Sequence, residues 1–436
     1  MPLSERLNKL RRGFHRTFWI ANALELFERF AFYGSKAVLA VYLAEKVGLG
    51  PQVAGSLVGA FSGVLYFLPV LAGTLVDRYG FRRTLAACFG IFTIGYFLIG
   101  LAGLEFGQHI TQSIGRTQYM VAVLLLTAIG GSLIKPCIVG TVANTSTDKT
   151  RSLGYSIYYT LVNVGGALGP VLALQVRQNL GIEYVLIMSS ATSFALFLGT
   201  LFFFRDPPAP AERGPLRTMA QVLRDMLLVF ANLRFMLFLV IASGFYILFW
   251  QIFYSFPFYV KETLHFERFE LLETVDAWTI ILLTVPATAM VKSWKPIRAV
   301  TLGFFIASVA WLMIPFAPTI AVCIAAMALF AAGEATFAPR FYEYIASLAP
   351  PEQVGTFMGF AFLPVSIGSF VAGPLAGWLV ATYVRGGNPN MMWYVLSGIG
   401  LASTVAMVIY NALVAAPSQD RNGPSERNNK ERSQGS

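Results

Sequence analysis

Residues 25–36 read ELFERFAFYGSK, which places Glu25, Glu28, Arg29 and Lys36 in a segment whose flanks are aromatic and aliphatic. On a helix turning about 100° per residue, these four side chains and Phe32 fall on one stripe. A charge near the middle of a bilayer costs at least ~2.5 kcal/mol, so such a stripe must face protein or a wet cavity. Glu25 and Arg29, four residues apart, suit a structural ion pair. Ionisable groups inside a membrane more generally mark a path for a substrate or an ion. Lys135 in GGSLIKPCIVG and Glu334 in AAGEATFAPRF come out at similar depth when each apolar segment is counted from its ends at about 1.5 Å per residue. A carboxylate held between burial, which favours its acid form, and a cation, which favours its ionised form, is suited to exchanging a proton.

The elements that must position these groups are long and apolar. Of 436 residues, 56% are hydrophobic and only 12% charged, against roughly 25% charged in soluble domains. Runs of about 20 apolar residues, the length that crosses a bilayer, recur along the chain. They predict an all-α membrane protein with twelve spans, at 18–43, 53–76, 84–104, 118–142, 153–176, 184–204, 235–260, 271–291, 299–316, 320–346, 356–383 and 391–414. The longest connector, RDPPAPAERGPLRTMAQVLRDMLLVFANLR, opens as a Pro-Ala linker. From Arg217 it reads as a helix lying on the membrane surface. The chain thus divides into a basic tail (1–16), a six-helix bundle (17–204), a linker (205–232), a second six-helix bundle (233–416) and a polar tail expected to be disordered (417–436).

Lysine and arginine set the orientation. The tails and the loops after the even-numbered spans hold 22 of the 32 basic residues, and the other face holds 6. This bias predicts both termini in the cytoplasm and accounts for the +10 net charge without a nucleic-acid partner. Cys88, Cys137 and Cys323 are isolated, with neither a disulfide framework nor a metal spacing. No phosphate-binding loop, hydrolase elbow or zinc-protease motif is present, so the reading is a non-enzyme with no cofactor.

Several stretches now support a resemblance. ELFERFAFYG resembles the ExxERFxYY signature of the proton-coupled oligopeptide transporter family within the major facilitator superfamily, with Phe32 at the first position of the closing pair. LYFLPVLAGTLVDRYGFRR is similar to the superfamily's loop motif, and YYTLVNVGGALGP to the family's FYxxINxGS signature. GGSLIKP, LFW and GEATFAPRFYEYIASLAP match the family's lysine, tryptophan and glutamate segments in order. The resemblance implies a major facilitator fold of two six-helix bundles around a central cavity. It implies proton coupling by Glu25, Glu28 and Arg29 with Lys135. Lys36 and Lys135 would attract a substrate carboxylate, and Glu334 would meet its amino terminus. Tyr33, Tyr66, Tyr159, Asn163 and Trp250 would line the pocket, joined by Asp276.

Lys36 stands where peptide transporters usually carry arginine, and Asp276-Ala277 where they carry Asn-Pro. Asp77, Arg78, Arg82 and Arg83 at one loop, with Arg340 and Glu343 on the tenth span, are expected to gate by ion pairing rather than to touch substrate. The implied activity is proton-driven symport of a di- or tripeptide-like zwitterion across the cell membrane by a monomer among lipids. A transporter of another small organic solute, such as an amino-acid derivative, organic anion or drug, is the alternative. A membrane sensor that transports nothing is more remote.

Overall fold

The computed structural model describes residues 13–147, 150–207, 219–349 and 354–415. The basic tail up to residue 12, the Pro-Ala part of the linker and the polar tail from 416 lie outside the described residues.

Every regular element among the described residues is helical. Twelve columns run through the molecule: α1 Arg16–Val41, α2 Gly50–Phe67 continued by Pro69–Tyr79, α3 Phe81–Leu101, α4 Arg116–Ser132 continued by Ile134–Asn144, α5 Arg151–Asn179 and α6 Ile182–Phe203 form the first half. The second half is α7 Leu233–Tyr254, α8 Phe269–Met290, α9 Pro296–Ala310, α10 Ile320–Leu348, α11 Leu363–Leu379 and α12 Met391–Tyr410. Among the described residues, ten helices are long and apolar enough to cross a membrane. The first two columns fall short of that standard: α1 carries the charged stripe, and α2 is interrupted at Pro69, which has no N–H to continue the ladder. This is an integral multi-pass membrane protein.

Among the described residues, two helices of ten residues or more lie outside the columns. Met219–Phe230, where the linker was expected to hold a surface helix, leaves Leu223, Leu227 and Leu228 exposed while burying Met226 and Val229. Glu105–Ile114, between α3 and α4, was not anticipated; its exposed Phe106 and Ile114 interrupt an otherwise polar run.

The halves meet along three pairs of columns, α2 with α11, α5 with α8, and α1 with α7. Glycine sets the first of these. A Cβ on Gly55 would stand 2.5 Å from the Gly373 carbonyl oxygen, and one on Gly59 would stand 2.8 Å from the Gly373 Cα, so only bare backbone permits this approach. Ser366 Oγ donates to the Gly63 carbonyl at 2.7 Å and Ser369 Oγ to that of Gly59 at 3.0 Å. Tyr254 Oη donates to the Val58 carbonyl at 3.1 Å.

Those contacts lie toward the face opposite the start of α1. At its rim, α1 and α7 both end in a wide turn of five residues, Tyr42–Lys46 and Tyr259–Thr263. There Lys261 of the second half pairs with Glu45 of the first at 2.5 Å. Arg177 of α5 pairs with Glu270 of α8 and also donates to the Glu267 carbonyl at 2.6 Å. Arg385 donates to Glu262 at 2.8 Å, and that bond raises its guanidinium above the ordinary range. This opposite face is closed.

Candidate functional site

The charged stripe of α1 is buried. Glu25 and Glu28 are each 1% exposed, and Arg29 and Lys36 are nearly as enclosed. Arg29 Nε stands 2.5 Å from Glu28 Oε2 and 3.2 Å from Glu25 Oε1. Its guanidinium carbon also lies 4.9 Å from the centroid of Phe32. None of the four carboxylate oxygens meets a donor in hydrogen-bond geometry among the described residues. One cation thus serves two acids.

Lys135 reaches the same place from α4. It lines, with Glu28, Arg29 and Tyr66, a cavity of about 10 Å³, room for about one water. Among the described residues no acid lies within ion-pair distance of its ammonium, which stands 5.9 Å from the Phe362 ring of the second half.

Lys36, on the same stripe about two turns further along, faces the other half. Its ammonium stands 3.6 Å from the centroid of Phe253, 4.3 Å from Trp250 and 5.2 Å from Phe249, all on α7, and 5.5 Å from Tyr33. Glu273, Asp276 and Glu334 act on it electrostatically, but no ion pair forms among the described residues. Trp250 is therefore placed differently from the expected pocket wall. It is fully buried, donates from Nε1 to the Val365 carbonyl at 3.0 Å, and lies edge-on to Tyr66 with centroids 5.7 Å apart. It forms the floor beneath Lys36.

The second half brings Asp276 of α8 and Glu334 of α10 within range of each other. Asp276 Oδ1 and Glu334 Oε2 are both buried without a donor among the described residues. The placement of Asp276 differs from that of a side chain reaching outward to water. Around Glu334 stand Tyr33 and Tyr159 of the first half. Tyr246 and Tyr342 of the second half stand there too, and the motifs did not single these out. Tyr159 is 47% exposed while still acted on by Glu334 and Asp276, so this chamber is open. Asn163 Nδ2 donates back to the Tyr159 carbonyl at 2.8 Å.

Among the described residues, the expected gating side chains do not bridge the halves. Arg340 pairs with Glu343 at 2.5 Å and donates to the Trp294 carbonyl, both within the second half. Arg82 donates from its backbone to Asp206 at 2.9 Å and from its guanidinium to the Leu201 carbonyl, tying the α2–α3 loop to the end of α6. Arg78 stands 5.6 Å from the Tyr79 ring and Arg83 is exposed. The Asp77 side chain lies outside the described residues.

Sequence reasoning also missed Glu273. It is 2% exposed, with neither oxygen paired among the described residues. Its signal was an acid two residues inside the expected eighth span.

Two buried clusters of opposite charge facing one another across a two-bundle interface decide what comparison matters. The family model for the Major Facilitator Superfamily matches residues 20–275 and 268–434. The chain belongs to the Major Facilitator Superfamily. Among its relatives, a "Dipeptide and tripeptide permease B" of Aliivibrio fischeri is 28% identical over 168 residues, a segment covering 38% of this chain and 32% of the permease. The chain therefore matches only about a third of that permease. "Multidrug resistance protein MdtH" of Photorhabdus laumondii is 22% identical over 373 residues, covering 85% of this chain and 88% of that protein. A crystal structure of a POT family transporter in complex with 5-aminolevulinic acid superposes with a TM-score of 0.73 at 14% identity, covering 91% of this chain and 96% of that one. The superposition carries the fold. This fold and this superfamily are those of transporters.

Proposed function

We propose that the chain is a secondary transporter that couples proton entry to symport of a di- or tripeptide or a similar small zwitterion. The observation that carries this reading is the pairing of Glu25 and Glu28 with one arginine beside Lys135, with Lys36 on the same helix facing Asp276 and Glu334 across the interface. A zwitterion needs a cation at one end of its site and an acid at the other, and the low-dielectric walls of the chamber strengthen both contacts. Lys36 and Lys135 meet the carboxylate, Glu334 with Asp276 meets the amine, and Tyr33, Tyr66, Tyr159 and Asn163 line the space between. Glu25, Glu28 and Arg29 with Lys135 carry the coupled proton.

The names of the permease relatives, matched over part of their length, and the charged signature of α1 support the peptide substrate. Transport proceeds by rocking of the halves. In the state described, the opposite face is closed and the chamber faces the basic side. That side is cytoplasmic on this reading, in the cell membrane, with both termini inside and the Asp77, Arg78, Arg82, Arg83, Arg340 and Glu343 groups closing it in the alternate state. The protein works as a monomer among lipids, needs no cofactor beyond the proton, and catalyses no covalent chemistry.

A second reading, movement of a drug-like or other organic solute, has the near full-length relative named for multidrug resistance in its favour. Uptake into proteoliposomes under an imposed pH gradient separates the two. Dialanine accumulates and alanine and an organic anion do not if the peptide reading holds; accumulation of the anion alone overturns it.

A further inference from the structure

Glu273 has no role in substrate binding or proton coupling in the reading above. It sits on α8 one turn from Glu270 and one turn from Asp276, the three acids following at steps of about 4.5 Å along the helix. Glu270 closes the upper end, paired with Arg177 of α5 at the sealed face. Asp276 opens the lower end, facing Lys36 of α1, Glu334 of α10 and Tyr159 of α5. Glu273 lies between, with both oxygens buried and unpaired among the described residues. From its own helix Glu270 acts on it, and from α1 Lys36 does, though the Lys36 ammonium is held by the rings of α7 rather than by an acid.

A carboxylate stripped of water and donors costs several kcal/mol, so a group in this position is suited to carry a proton through the cycle. It can exchange that proton only when water or a neighbouring carboxyl reaches it. The layer separating it from the opposite face is the Arg177–Glu270 pair, which joins the two halves and must part when that face opens. On the other side the next acceptor is Asp276.

We propose that Glu273 is a second proton-binding group of the transport cycle, loaded from the opposite face when the Arg177–Glu270 pair parts and unloaded toward Asp276 and the chamber. The proton arrives from external water on one Glu273 oxygen and leaves to an Asp276 carboxylate, which passes it to chamber water. The Glu273 carboxylate left behind is neutralised by Lys36 until the next loading. This inference rests on the proton-coupled reading and adds a carrier in the second half to the one in the first.

The test uses the full-length protein in proteoliposomes, with Glu273→Gln as a fixed stand-in for the acid form and Glu273→Asp as the conservative variant. Dialanine flux and proton flux are measured together. Glu273→Gln should move one proton fewer per dialanine and, with no membrane potential, lose about tenfold in limiting accumulation per unit of pH gradient. Dialanine counterflow should persist, and Glu273→Asp should restore the coupling. An unchanged proton ratio in Glu273→Gln overturns the proposal, as does loss of counterflow together with coupling, which marks a structural role.

A substrate-free measurement keeps the proposal testable should Glu273→Gln not fold. In infrared spectra of the closed-face protein, a protonated-carboxyl stretch should shift in Glu273→Asp; an unshifted spectrum overturns the assignment. Wild-type protein that moves no protons with dialanine overturns the underlying reading instead, and the infrared result still decides whether Glu273 holds a proton.

Discussion

The ammonium of Lys36 on α1 stands 3.6 Å from the ring centroid of Phe253 on α7, so a cation of one half is held by an aromatic face of the other. Such a contact contributes on the order of 1–2 kcal/mol when desolvated, less than a charge-assisted bond to a carboxylate at the same site. On the proposed reading, an arriving carboxylate draws Lys36 out of its ring enclosure. Lys36→Gln should weaken dialanine competition by about tenfold, ~1.4 kcal/mol, while barely changing that of C-terminally amidated dialanine. Competition binding checks this, and equal losses for both ligands remove the carboxylate assignment.

Coupling places a different demand on Glu28, whose oxygen lies 2.5 Å from Arg29 Nε. The neutral isostere cannot load or release a proton. Glu28→Gln should therefore lower the protons moved per dialanine, and with them the accumulation driven by a pH gradient, and leave dialanine counterflow at least partly intact. Gradient-driven accumulation at the wild-type level would contradict the role.

Glu334, with one buried oxygen unpaired, is proposed to receive the substrate's amine. Removing a charged partner from such a contact costs about 2 kcal/mol, roughly thirtyfold in affinity. Glu334→Ala should impose that loss on dialanine and much less on N-acetyl-dialanine, measured by inhibition of uptake. Parallel losses would move the amine elsewhere in the chamber.

The two ion pairs that join the halves at the closed face should differ in weight. Glu270 is fully buried beneath Arg177, whereas Lys261 and Glu45 are a quarter to a third exposed. Breaking a buried pair from one side costs about 3–5 kcal/mol, and an exposed pair contributes about 0.2–1 kcal/mol. Arg177→Ala should therefore favour opening of that face far more than Lys261→Ala. The readout is labelling of Thr274→Cys by an impermeant thiol reagent from that side, with the native Cys88, Cys137 and Cys323 replaced. Equal acceleration by both variants would mean that the glycine contacts of α2 and α11, not the ion pairs, hold the face shut.

How much of this was legible in the chain differs by element. The burial of Glu25, Glu28, Arg29 and Lys36 could be read directly, because charge in an apolar helix leaves few physical alternatives. The twelve columns followed from apolar length, and the close approach of Gly373 and Gly377 to α2 from the small residues of α11. The enclosure of Lys36 was not legible, since Phe249, Trp250 and Phe253 look like ordinary core residues until α7 is laid against α1. Arg177 and Glu270 read as separate loop-end charges, because nothing local to either reports a partner in the other half. Tyr246 and Tyr342 carry no motif, and only the meeting of α7, α10 and α5 around Glu334 gives them a place.

The central claim is that substrate and proton move together. Its most direct measurement is the internal pH of proteoliposomes, prepared with no initial gradient and loaded with a pH-sensitive dye, after dialanine is added outside. Coupled symport predicts that the interior acidifies as dialanine enters, that alanine produces no such change, and that Glu28→Gln reduces the acidification per dialanine taken up. Entry of dialanine with no acidification of the interior would contradict the account.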